Sequence, residues 1–125
     1  MADTSFHITC HPNPQVGQDM LVQFSEELKL KTIGSAKLVL KYVPDREICA
    51  TETFTTWLQE TTGQDFPYIE AFAIHTLDYF YNQVMPAYVE LALTFEANNL
   101  NQTIRMHRQQ PLYQLSEGLL RELGK

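Results

Sequence analysis

The stretch AYVELALTFEANNLNQTIRMHR, Ala87 to Arg108, decides the fold. In its first half Val89, Leu91, Leu93 and Phe95 occupy alternate positions. In its second half Leu100, Gln102, Ile104 and Met106 do the same. Side chains alternate across a pleated strand, so this period of two marks strands with one buried face. EANN, Glu96–Asn99, separates the runs and reads as a turn, because Asn accepts turn backbone conformations readily. Two alternating runs around a tight turn predict an antiparallel hairpin.

Working outward, KLVLKYV (Lys37–Val43) alternates in the same way. Leu38, Leu40 and Tyr42 lie on one side, with Lys37, Val39 and Lys41 on the other. MLVQFSEELKLK (Met20–Lys31) precedes it as a further extended run, broken by Gly34-Ser35. Pro44-Asp45 turns the chain, and REICATETF is expected to return as a second strand. Thr53–Gly63 reads as a short helix stopped by Gly63. Asp65 is expected to cap the next helix, and Pro67 suits its first turn. That helix runs to about Val84, before Pro86, with Glu70, Ala73, Ile74, Leu77 and Tyr81 along one face. Tyr79, Phe80 and Tyr81 wrap around it as core and contact residues. The tail from Pro111 places Leu112, Leu115, Leu119 and Leu123 at helical spacing, so a C-terminal helix is expected over about 111–123. Gly118 weakens it by roughly 1 kcal/mol.

The predicted order is strand–strand–helix–helix–strand–strand, with an N-terminal arm and a C-terminal helix. This is an α+β domain: a four-stranded antiparallel sheet (ββααββ) with two helices on one face. One domain is expected over 1–125, with its core at about 20–108. An open sheet has two edges, and edges are paired or blunted in stable proteins. A homo-oligomer joined through the sheet edges is therefore expected.

The chain has 125 residues, 44% of them hydrophobic, and a formal net charge of −6. That is one domain's length, with enough apolar content for a core. The acidic balance argues against a general nucleic-acid or anionic-membrane binder, since affinity for phosphate comes mainly from Lys and Arg. No apolar run is long enough for a helix to span a bilayer, and MADTSFHITCHPN lacks the features of a secretory leader, so a cytoplasmic protein is expected. The chain's 2 cysteines, Cys10 and Cys49, are too few for a disulfide framework.

Three short motifs resemble a known family. Tyr42-Val43-Pro44-Asp45 resembles the Tyr-Ile-Pro-Asp hairpin turn of the 7-cyano-7-deazaguanine nitrile reductases, the QueF family. Tyr68-Ile69-Glu70 resembles that family's Phe-His-Glu at the start of the second helix. Met85-Pro86-Ala87-Tyr88-Val89-Glu90 resembles its Asp-Pro-x-Tyr-Ile-Glu and puts Glu70 in register without a gap. The resemblance covers roughly residues 36–108. It implies the tunnelling fold (T-fold), whose members assemble their sheets into a shared barrel and bind purines or pterins at subunit interfaces. The dihydroneopterin aldolases, also T-fold proteins, carry a similar glutamate.

By this resemblance Glu70 recognises a purine-, deazapurine- or pterin-like heterocycle. A carboxylate accepts two parallel hydrogen bonds from a ring N–H and its exocyclic amine, and such charge-assisted pairs are strong. The plain alternative is a solvated acid near a helix N-terminus, where the dipole favours it. The family's chemistry also needs a nucleophilic cysteine, a proton-donating acid and NADPH. Cys10 with Asp19 echoes the cysteine-acid stretch at a longer spacing, and His7 and His11 stand beside that thiol. The family's Glu-Ser-Lys-Ser falls on Ala50-Thr51-Glu52-Thr53, where an anion replaces the lysine that would face phosphate. NADPH is thus implied only if reduction is retained, and no cofactor-binding residue is assigned. The aldolase lysine has no counterpart after AYVELALTF.

HITCH gathers His7, Cys10 and His11, but a zinc site needs three or four ligands at suitable spacing and the sequence offers no second cluster. The His-x-His pair of the T-fold zinc enzymes does not occur, so no metal is assigned. His75 reads as structural, and Arg105, His107 and Arg108 as a small basic group on the last strand. The competing reading is a non-enzymatic oligomeric interaction domain that keeps the fold without a pocket.

Overall fold

A computed structural model of the chain describes residues 7–31 and 34–124. The first six residues of the expected N-terminal arm, and residues 32–33 before the expected break at Gly34-Ser35, lie outside them. The elements in chain order are β1 (Cys10–Pro12), β2 (Val22–Leu30), β3 (Gly34–Val43) and β4 (Glu47–Cys49). Then come α1 (Thr51–Thr62), α2 (Ile69–Val84), β5 (Tyr88–Ala97), β6 (Leu100–Gln109) and α3 (Glu117–Leu123). The fold is α+β. A 4-stranded antiparallel sheet has the order β2-β3-β5-β6, and β1 pairs with β4 in a separate 2-stranded ladder.

The deciding hairpin forms as its alternation predicts. Leu91 pairs with Met106 and Leu93 with Ile104, and the pairing continues to Ala97–Leu100. Asn98 and Asn99 form a two-residue turn with φ of 55° and 65°. Two successive left-handed residues are what a type I′ turn requires, and its twist matches that of the flanking strands.

In register, Phe24, Leu40, Leu91 and Met106 line up across the sheet, as do Glu26, Leu38, Leu93 and Ile104. These rows form the helix-covered face. Leu38, Leu40, Tyr42, Val89, Leu91 and Leu93 are all buried there. From above, α1 contributes Phe54, Trp57 and Leu58, and α2 contributes Phe72, Leu77 and Phe80. An aromatic lattice ties the layers together. The Phe80 ring centroid lies 5.0 Å from Tyr42 and 5.3 Å from Phe54, and Phe54 stacks on Phe24 at 5.1 Å. Trp57 stacks on Tyr79 at 4.5 Å, joining the two helices.

Several local expectations are corrected. REICATETF is not a long return strand: only Glu47–Cys49 is extended, it pairs with β1, and α1 starts at Thr51. The third sheet position beside β3 goes to β5, whose alternating apolar face buries more. Gly34 and Ser35 begin β3 opposite Leu30 and Lys29 rather than breaking the strand. Asp65 does not cap α2. The N-cap is Tyr68, and Asp65 pairs with Lys31 at 3.4 Å. The C-terminal helix spans only Glu117–Leu123, because Ser116 caps it and accepts a hydrogen bond from the Leu119 N–H at 3.1 Å. Leu112, at φ 68°, lies outside helical geometry.

The buried stripe of α2 is Ile69, Phe72, Ala73, Thr76, Leu77, Phe80 and Val84. It is rotated from the expected face, leaving Glu70 and Ile74 exposed. The reason is packing: both α1 and the sheet must be met, and Phe72 and Phe80 fill that angle. Thr76 is fully buried, and its hydroxyl has no hydrogen-bond partner. A buried hydroxyl without a partner costs free energy that a methyl group of similar shape does not. Thr76→Val is therefore expected to raise stability by about 1 kcal/mol, read as a higher urea midpoint at unchanged slope. A lower midpoint would contradict this account.

Candidate functional site

Glu70 stands in the first turn of α2. Tyr68, extended at φ −157° and ψ 164°, turns the chain into the helix without a side-chain cap. An acid in the first turn complements the positive end of the helix dipole. Glu70 is exposed and, among the described residues, has no hydrogen-bond or ion-pair partner. Its position on the helix is informative. Glu70, Ile74 and Asp78 are spaced by four and form one row. Asp78 pairs with Arg108 of β6 at 3.0 Å. Asp78 of this row therefore reaches β6, a sheet edge that is unpaired among the described residues, and Glu70 lies about two turns nearer the helix start.

A shallow groove of about 530 Å³ runs along the outer side of α2, between Tyr68, Ala71, His75 and Asn82. Glu70 adjoins its end in sequence but does not line it. His75 stacks on Trp57 at 5.7 Å, so it acts as part of the helix-to-helix contact.

The other proposed site residues lie elsewhere. Cys10 is on β1, half-buried, and its thiol donates to the Gln83 carbonyl at 3.7 Å, near the C-terminal end of α2. Thirteen residues of helix separate Glu70 from Gln83, roughly 20 Å at about 1.5 Å per residue. Glu70 and Cys10 therefore do not share a site within one chain. Burial pushes the Cys10 thiol above its usual range, and the nearby Glu47 carboxylate pushes it further in the same direction. This is the reverse of what activates a nucleophilic thiol. Asp19 accepts a hydrogen bond from the Ser116 hydroxyl at 2.8 Å and so secures the start of α3. The Nδ1 of His7 lies 3.2 Å from the Tyr79 hydroxyl, and that of His11 lies 3.3 Å from the Pro12 carbonyl. Among the described residues no three His, Cys, Asp or Glu side chains gather as a metal site. No helix of those residues is long and apolar enough to cross a membrane.

The face of the sheet away from α1 and α2 carries a polar row that sequence reasoning did not assemble. Gln23, Lys41, Glu90 and His107 are register partners across β2, β3, β5 and β6. The Tyr88 hydroxyl donates to Glu90 Oε1 at 2.8 Å, and its ring stacks on His107 at 5.7 Å. Burial and the neighbouring Glu90 carboxylate both raise the Tyr88 phenol above its usual range. Lys41 is buried, and its Nζ donates to the Leu123 carbonyl of α3 at 3.3 Å. Leu119 of α3 packs with Val43, Ala87 and Tyr88 at one end of this face. Alternation alone places Lys41 and Glu90 opposite the core. Which residues they meet depends on strand register.

On the helix side, the Tyr42 hydroxyl accepts the Cys49 backbone N–H at 3.1 Å. Burial is the main cause that pushes this phenol up to about 12. Tyr42, carried over as part of the YVPD motif, is therefore a structural clamp between β3 and β4.

Compared with known proteins, the chain matches no family model and no curated protein.

Proposed function

We propose that the chain is a subunit of a T-fold homo-oligomer related to the QueF-type reductases, in which Glu70 anchors a purine-, deazapurine- or pterin-like heterocycle at a subunit seam. The observation that carries this reading is the position of Glu70: an exposed carboxylate with no partner among the described residues, about two helical turns from the Asp78 that pairs with edge strand β6. A consecutive antiparallel sheet with its helices inserted between the second and third sheet strands supports the assembly. Both edges, β2 of 9 residues and β6 of 10, are long enough to pair with a neighbouring copy. They differ in charge. β2 carries Glu26 and Glu27 beside Lys29, and β6 carries Arg105, His107 and Arg108. Head-to-tail pairing of β2 with β6 brings these charges together and can close a ring.

The thioimide route to nitrile reduction has no place in this reading. Within a chain Cys10 is remote from Glu70, and its surroundings disfavour the thiolate. The competing reading, an interaction domain without a pocket, takes the same unpartnered Glu70 as a solvated acid.

Light scattering combined with thermal-shift titration separates the two. The expected result is a multimer whose melting temperature rises with 7-cyano-7-deazaguanine, guanine or neopterin. A multimer indifferent to all three favours the interaction domain, and a monomer indifferent to all three sinks both. Arg105→Glu, at an exposed edge position, is expected to shift the multimer toward monomer. Unchanged assembly in that variant removes the charge-paired edge.

A further inference from the structure

We propose that Cys10 and Cys49 form a redox-active dithiol that closes into an intrachain disulfide across the β1–β4 ladder. These are the chain's only 2 cysteines, and they are direct partners in the antiparallel register. Residues directly opposite each other in such a pair project their side chains to the same face.

The position within the ladder matters as much as the pairing. The Ala50 N–H donates to the Thr9 carbonyl at 2.9 Å, and the Asn13 N–H to the Arg46 carbonyl at 2.9 Å. These bonds flank the Cys10–Cys49 and Pro12–Glu47 pairs, so both are non-hydrogen-bonded pairs. At such positions the two Cα atoms approach to about 4.5 Å. Disulfides span Cα separations of about 4.4–6.8 Å. The backbone is therefore already close enough for the bridge.

The two thiols differ in access. Cys49 is buried in the main core, whereas Cys10 is half-buried and packs against that core from its rim. This sets the order of events with a small-molecule disulfide such as glutathione disulfide. Burial and Glu47 keep Cys10 largely protonated, so exchange is slow and runs through its minor thiolate form: Cys10 loses its proton to solvent and attacks one sulfur of the oxidant. The oxidant's S–S bond breaks, one glutathione thiolate leaves, and Cys10 carries a mixed disulfide. Cys49 then loses its proton and attacks the Cys10 sulfur, expelling the second glutathione. Both glutathiones take up the released protons as thiols, and the protein has lost two hydrogens and two electrons. The bridge joins the N-terminal segment to β4 and closes a loop that contains the β2–β3 hairpin. This inference does not rest on the heterocycle reading.

The test treats the full-length reduced chain with glutathione disulfide, blocks remaining thiols with N-ethylmaleimide and measures intact mass without reductant. The expected product is lighter than the reduced chain by about 2 Da, carries no maleimide, and yields one peptide pair linking Cys10 to Cys49. Dithiothreitol reverses it. Cys49→Ser is expected to stop at a glutathione adduct on Cys10. The oxidised wild type is expected to melt higher by about 5 °C. Wild-type chains that end as glutathione adducts, as cross-linked dimers or as free thiols overturn the proposal. So does an oxidised chain that melts no higher than the reduced one.

Discussion

Phe80→Ala is expected to cost about 3–5 kcal/mol of folding free energy, the usual range for deleting a buried phenylalanine. Phe80 is fully buried in α2, with ring centroids 5.0 Å from Tyr42 of β3 and 5.3 Å from Phe54 of α1. Phe54 in turn stacks on Phe24 of β2. Phe80 therefore joins α2 directly to α1 and β3, and through Phe54 to β2. Its removal leaves a void walled by aromatic rings, which cannot collapse without moving a helix. Against a total stability of about 5–15 kcal/mol for a typical domain, that loss takes a large share. A fall in melting temperature of roughly 10–25 °C follows for a chain of this size. Circular dichroism melts of the two proteins measure it. A drop of only a degree or two would mean that Phe80 is not the keystone of this lattice.

On the proposed role of Glu70 as a heterocycle anchor, Glu70→Gln is expected to weaken that binding by roughly 10²–10⁴-fold while leaving the fold unchanged. Each hydrogen bond to a charged group contributes about 1.5–3 kcal/mol. Gln keeps the length of Glu but loses the charge and replaces one acceptor with a donor. That donor faces a ring amine, which is also a donor, so one bond is lost and the other loses its charge assistance. Stability is expected to change by less than about 0.5 kcal/mol, because Glu70 is exposed and pairs with nothing among the described residues. Calorimetric titration of the wild-type assembly and the variant with whichever heterocycle shifts the melt reads the ratio. Equal dissociation constants would remove Glu70 from the site, whatever the fold.

The two readings of α2 show where sequence reasoning held and where it stopped. Its start lies later than a cap at Asp65 and a first-turn Pro67 would place it. Its existence and its end at Val84 were legible, because Pro86 cannot continue a helix and the apolar period is long. Its rotation was not. The stripe chosen by spacing placed Ile74 and Tyr81 with Ala73 and Leu77. The structure instead buries Phe72 and Phe80, since α1 presents Phe54 and Trp57 to that flank. A helix touching two partners buries an arc wider than one row, and sequence does not locate the second partner. The Glu47–Cys49 segment failed for a related reason. Short strands carry too few alternations to name their partner, and β1 was available through Cys10–Pro12.

Glu70 was legible as an acid at a helix start. That Asp78, about two turns along, pairs with the edge strand β6, while Cys10 lies near the far end of the same helix, required coordinates. Likewise the chain's two cysteines are separated widely in sequence, and nothing in their spacing brings them face to face.

The sequence by itself determined the α+β class, the long helix α2 and the antiparallel character of the β5–β6 hairpin, but not the short β1–β4 ladder. What it determined follows from local causes: period-two apolar faces, an Asn-Asn turn and a proline after the long helix. The tertiary structure alone decided strand register, the rotation of α2 and the neighbours of each polar side chain. Those depend on contacts between residues distant in the chain, where packing volume and backbone pairing select among arrangements that local preference leaves nearly equal.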